Sequence, residues 1–262
     1  MKLIFLILIT YSNIIFSNVV GEITHLKNIN PSRVLFVGNS YFYYNDSLHN
    51  HVRRMVEEQF PNKVDKLEFK SATIGGSKLS HHDIDHLIAH KNIGVSKPFE
   101  LVILQGGSSE PLSVESRMKF KQDAKNLIKK INDSGADAAL YMIHAYVKPH
   151  EDYHPKMIDK IINLYTDSGN TTNTLVLPVG IAFENAYKKR PNMKLHKDFD
   201  GTHPDLLGTY LSACVLFASI YKTSPIGIDY SYFEKINEKD KLFLQNIAHQ
   251  TVEKFYNIRL QI

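Results

Sequence analysis

The stretch Arg33-Val34-Leu35-Phe36-Val37-Gly38-Asn39-Ser40-Tyr41 passes from an apolar run straight into a glycine, an amide and a hydroxyl. Its apolar residues follow one another without the alternation of a half-solvated strand, so the run reads as a strand covered on both faces, as in a parallel sheet. Gly38 ends it and starts a turn, which leaves Ser40 just past the strand's carboxyl end. A helical pattern follows in Leu48, Val52, Met55 and Val56. Strand, turn and helix in that order open a βαβ unit.

The same alternation repeats outward. Further strand-like runs lie at Leu67 to Thr73, Leu101 to Leu104, Ala138 to Ile143 and Thr174 to Val179. Phe120, Ala124, Leu127, Ile128 and Ile131 recur at helical spacing, with Gly135 as a stop. Another helix is predicted from Pro204, with Pro in its first turn, through Leu207, Leu211, Cys214, Val215 and Ala218, and a last one over about Glu234 to Tyr256. The pattern predicts an α/β fold: a three-layer, doubly wound, five-stranded parallel sheet of flavodoxin-like kind, binding ligands at the carboxyl ends of its strands.

Of the 262 residues, 43% are apolar and 22% charged, the composition of an ordinary folded chain. A formal charge of +4, with Lys and Arg scattered among acids, gives no basic tract for nucleic acid. Lys2, the apolar run Leu3 to Ile9, and its weaker continuation to the small residue Ser17 have the layout of a signal peptide. Thr10, Ser12 and Asn13 interrupt it too early for a membrane-spanning helix, although an uncleaved N-terminal anchor stays open. The expectation is a leader over residues 1–20, a single domain over 21–262, an extracytoplasmic location and no stable membrane insertion after cleavage. Cys214 is the one cysteine, so no internal disulfide forms; its helical pattern places it in the core.

Two places carry candidate chemistry. Ser40 stands where a nucleophile would be exposed on a tight turn, with Gly38 supplying backbone latitude, though Gly-Asn-Ser after a strand also reads as a plain turn. Near the other end stands Asp200-Gly201-Thr202-His203-Pro204-Asp205, in which the Asp200 carboxylate can fold back onto one ring nitrogen of His203 and leave the other free as a base. Alone, that segment reads equally as a helix cap, from Asp200 or Thr202, beside a surface histidine.

Taken together, Gly-Asn-Ser after the first strand and Asp-x-x-His-Pro before the last long apolar helix resemble the first and last blocks of the SGNH/GDSL hydrolases. The resemblance runs from about Arg33 to Tyr221. It implies the SGNH hydrolase fold, Ser40 as nucleophile, and Asp200 and His203 as its triad partners. Ser71-Ala72-Thr73-Ile74-Gly75-Gly76-Ser77 is similar to the second block, whose glycine N–H helps to form the oxyanion hole; Gly76 is the candidate, with Gly75 close behind. The third block departs from the family's Gly-x-Asn-Asp, reading Gln105-Gly106-Gly107-Ser108-Ser109-Glu110. That Gln-Gly-x-Ser form resembles the branch of carbohydrate O-acetylesterases, and a branch with GNSY-type first blocks. By that resemblance the Gln105 amide replaces the missing Asn as a third oxyanion donor beside Ser40 and Gly76.

A competing cluster is His81, His82, His86 and His90 with Asp83 and Asp85, expected on a helix where His82, His86 and His90 share a face. Such a face suits zinc, but no further ligand is clearly placed to complete a site, so it is read as solvated. His144, His150 and His154, with Tyr146 and Tyr153, follow the fourth strand as candidate pocket-wall or lid residues, or as a plain surface loop. No metal and no cofactor is assigned. The whole implies a secreted serine esterase acting on small acyl esters, O-acetyl groups on carbohydrate foremost. An O-acyltransferase, a lipid esterase and a catalytically idle binding protein of the same fold are the alternatives.

Overall fold

The computed structural model describes residues 20–262; the signal-peptide reading falls on residues outside that range. Five strands form one parallel sheet: β1 (Arg33–Gly38), β2 (Glu68–Thr73), β3 (Leu101–Leu104), β4 (Asp137–Tyr141) and β5 (Leu175–Leu177). Their spatial order is β2-β1-β3-β4-β5. The helices are α1 (Ser40–Tyr43), α2 (Leu48–Gln59), α3 (Ile84–Ile88), α4 (Val114–Asp133), α5 (Met157–Thr172), α6 (Val179–Lys189), α7 (Leu206–Tyr221) and α8 (Glu238–Tyr256).

Chain direction across the sheet reverses at β1. From β1 the chain steps outward through α2 to β2, then returns past β1 to β3, β4 and β5. With right-handed crossovers the reversal puts α2 on one face and α3, α4 and α5 on the other. The packing agrees: α2 lies against α7 and α7 against α8, while α4 lies against α3 and α5. The crevice where the winding reverses opens at the carboxyl ends of β1 and β3, where such sheets bind ligands.

The three inner strands are buried along nearly their whole length, and β2, at an edge, is half exposed. Helix α7 is apolar on all sides because it is enclosed on all sides, by the sheet, α2, α6 and α8. Cys214 is buried within it as a free thiol.

Two helix starts lie later than their patterns predict. Pro204 pairs in an isolated bridge with His196, and Asp205 is the N-cap of α7, its carboxylate accepting from the Leu206 N–H. The last helix waits until Glu238, since Tyr232, Phe233 and Glu234 all hold positive φ, and Asn237 supplies the cap. The expected helix over the 81–90 histidines is broken. A short turn (Leu79–His81) gives way to an extended His82, Asp83 caps the five-residue α3, and a second short turn begins at His90.

Candidate active site

Ser40 is the first residue of α1, and Asn39 before it is extended, with φ −133°. The Asn39 side chain ties down the turn. Its Oδ1 accepts from the Tyr41 N–H (3.2 Å), and its Nδ2 donates to the carbonyls of Ser77 (3.0 Å) and Gly106 (3.3 Å). One amide thus joins the ends of β1, β2 and β3. Gly38 holds no positive φ; it is needed for room, since a Cβ there would lie 2.6 Å from Gln105 Oε1. Ser40 keeps 8% of its surface, enough for a hydroxyl reached from one side. Among the described residues its N–H has no hydrogen-bond partner.

The segment 195–205 folds back on itself, Lys197 N–H donating to His203 O (2.8 Å) and Asp205 N–H to Leu195 O (2.8 Å). Its tip carries Asp200 and His203. Asp200 Oδ2 accepts from His203 Nδ1 at 2.5 Å, and Oδ1 accepts from the N–H groups of Thr202 (2.9 Å) and His203 (3.1 Å). Partial burial pushes the Asp200 carboxyl up, but those three donors outweigh it and hold the group below the usual carboxylate range. His203 Nε2 lies 2.8 Å from Ser40 Oγ. With Nδ1–H committed to the carboxylate, Nε2 is the acceptor, and the serine hydroxyl donates to it. A hydroxyl, an imidazole and a carboxylate stand in line, in the order that removes a proton from the hydroxyl.

The second block supplies a turn over residues 74–77, closed by Ser77 N–H to Ile74 O (3.1 Å). It is fastened to the serine turn from both ends, Ile74 N–H donating to Gly38 O (3.1 Å) and Ser77 Oγ to the same carbonyl (3.1 Å). Gly76 is at its tip with φ +66°, a conformation that favours glycine, and its N–H has no partner among the described residues.

No protein-family model and no curated protein matches the chain. Solved structures do. A DUF4886 family protein from Bacteroides uniformis superposes with a TM-score of 0.63 at 17% identity, covering 87% of this chain and 96% of that one. A protein assigned to the SGNH hydrolases, from Slackia heliotrinireducens, superposes with a TM-score of 0.58 at 19% identity over 72% and 99%. The acetyl xylan esterase AlAXEase gives 0.55 at 17% over 71% and 98%. The chain has the SGNH hydrolase fold.

Within that SGNH fold the third block differs from its expected role. Gln105 is fully buried, its Oε1 accepts from the Asn39 N–H (2.9 Å), and its Nε2 donates to the Gly106 carbonyl. The side chain points back along the β1–β3 seam and braces the residue before Ser40, so it is not placed as an oxyanion donor. The extra methylene that would let Gln reach forward instead lets it reach sideways. Glu110, to which the sequence reading gave no role, is buried behind the same loop. Its Oε2 accepts from Gly107 N–H (2.6 Å) while Oε1 has no partner among the described residues, and burial pushes its pKa up to about 7 against the pull of that N–H and of Lys78.

The SGNH fold scatters the histidine cluster. His82 is buried against Ser77 Oγ (2.9 Å), whereas His81 and His86 bond locally near the surface. His144 is fully buried, sandwiched between Tyr41 and Phe183 at 4.3 and 4.4 Å. Its Nε2–H donates to Thr202 O (2.8 Å), and Nδ1 has no partner among the described residues. Tyr41 bonds the Thr202 hydroxyl (2.7 Å), so one aromatic stack grips the 195–205 loop twice. His150 stacks on Tyr146. Tyr146, Tyr153 and His154 line a cavity of about 670 Å³ whose walls include none of Ser40, Asp200 and His203. Tyr41 and Tyr44 went unassigned in sequence, and the crowding of tyrosines at 41, 43 and 44 beside the serine was the available signal; His144, expected on a pocket wall or lid, is instead buried beneath the loop, and Asp205, not Asp200 or Thr202, caps α7.

Proposed function

We propose that the chain is a serine esterase that works through an acyl-enzyme. The observation that carries this is the continuous line Asp200–His203–Ser40, at 2.5 and 2.8 Å. Ser40 Oγ attacks an ester carbonyl carbon and forms the new C–O bond as its proton passes to His203 Nε2. The carbonyl oxygen becomes an oxyanion, met by the free N–H groups of Ser40 and Gly76. Collapse breaks the bond to the alcohol, which leaves with the proton from His203. Water repeats the sequence against the acyl-serine, and Asp200 balances the imidazolium in both halves.

The resemblance of the third block to carbohydrate O-acetylesterases, and the fold shared with an acetyl xylan esterase, support a small acyl group on a carbohydrate. The leader-like N-terminus supports action outside the cytoplasm. A fluorophosphonate probe tests the nucleophile: the wild type is labelled, and Ser40→Ala is not and loses turnover by about 10⁴-fold or more. Labelling that persists in Ser40→Ala overturns the assignment. Faster hydrolysis of octanoyl than of acetyl esters overturns the small-acyl reading.

A further inference from the structure

Tyr44 follows α1 and lays its ring flat on the imidazole of His203, with centroids 4.4 Å apart and planes within 23°. Tyr41 meets the same imidazole edge-on at 6.1 Å. Asp200 holds it in the ring plane, through Nδ1. The carboxylate and the Tyr44 face therefore act on His203 from perpendicular directions.

The stack is held by the backbone on both sides. Tyr44 N–H donates to Ser40 O (3.3 Å). Asn45 Nδ2 donates to Pro204 O (3.0 Å), the residue after the base, and to Thr209 Oγ1 (2.8 Å) on α7. Asn45 O accepts from His51 Nε2 (2.7 Å). Beyond the ring the chain turns through Asn45, Asp46 and Ser47 with φ of 54°, 70° and 65°, three successive residues of positive φ, none a glycine. Such a run persists only where its surroundings over-determine it, and strain of this kind gathers at functional sites. The height of the Tyr44 ring over His203 is thus set by the block that carries the base.

We propose that Tyr44 is a positioning residue that holds the His203 ring and, through its π face, stabilises the imidazolium formed during acyl transfer. The proposal rests on the Ser40–His203–Asp200 reading above. Before attack the imidazole is neutral; once the serine proton has moved to Nε2 it is a cation, and the negative face of an aromatic ring attracts it. An interaction that strengthens only as charge develops acts on kcat and leaves KM alone.

The test is a series at position 44, assayed with a soluble acetyl ester beside Ser40→Ala. Tyr44→Phe keeps the face and stays within about twofold of wild type, whereas Tyr44→Leu keeps apolar bulk and loses about tenfold in kcat at unchanged KM. Phenylalanines bearing one, two and then five fluorines keep the ring's shape while draining its face, so kcat falls stepwise along the series with thermal stability unchanged. A purely steric role predicts no slope with fluorination. A flat series beside an inactive Ser40→Ala overturns the Tyr44 proposal and leaves the triad standing; a Ser40→Ala that still turns over overturns both.

Discussion

Gln105 acts on Ser40 at one remove. Its oxygen is the acceptor for the Asn39 N–H at a position with no access to water. Gln105→Ala strands that donor and removes the brace from the serine turn, so the melting temperature and kcat fall together, with about 1–3 kcal/mol lost from stability. A pure oxyanion donor would lower kcat alone. Parallel thermal melts and rate measurements separate the two, and an unchanged melting temperature would contradict the bracing role. Gly201 permits a sharper test. It has φ +65°, and a Cβ there would sit 2.1 Å from the Val147 carbonyl. Gly201→Ala must move the loop that carries Asp200 and His203, so kcat falls by at least 10²-fold, read by steady-state kinetics on folded protein.

Between β3 and α4, the buried Glu110 gives the loop a dependence on pH whose sign can be worked out. Its folded pKa of about 7 lies above the ordinary value of 4.5. Below about pH 4.5 both states hold the proton; from there to about 7 the unfolded chain gives it up first. Stability from this group is therefore present at low pH and lost as pH rises through 7, by on the order of 3 kcal/mol. Glu110→Gln should flatten that component, measured as the difference between variant and wild-type denaturant midpoints at pH 5 and pH 8. Elements of this kind show what the sequence makes legible. A strand covered on both faces leaves a continuous apolar run, so β1, β3 and β5 stand out. The three-block serine turn was legible too, as glycines and small polar residues just past strand ends. What a buried polar side chain faces is not written in its own neighbourhood: Gln105 could reach forward or sideways, and only the β1–β3 seam decides. Nor did three histidines at helical spacing make a helix, because Asp83 caps its own short turn and His82 is drawn inward by Ser77.

Across the whole molecule, shielded histidines add a loss of stability on the acid side. Burial holds His49 and His196 down to about 4, and pushes His144 well below its ordinary range. The unfolded chain takes up these protons near pH 6.5 and the folded chain does not, so stability is lost as pH falls from about 6.5 towards 4. Thermal melts should therefore show a steep acid-side loss, opposite in sign to the Glu110 component; a melting temperature flat from pH 7 to 4 would mean that these rings are not shielded from water. The proposed site also spans the molecule in sequence, since Ser40 and His203 are 163 positions apart. The chain leaves the ribosome N-terminus first, so the serine is made well before its proposed base. By the proposed mechanism, a nascent or truncated chain without the 195–205 fold-back carries a serine as unreactive as any other. On the proposed mechanism the serine is activated only once the 195–205 fold-back has docked beside α1.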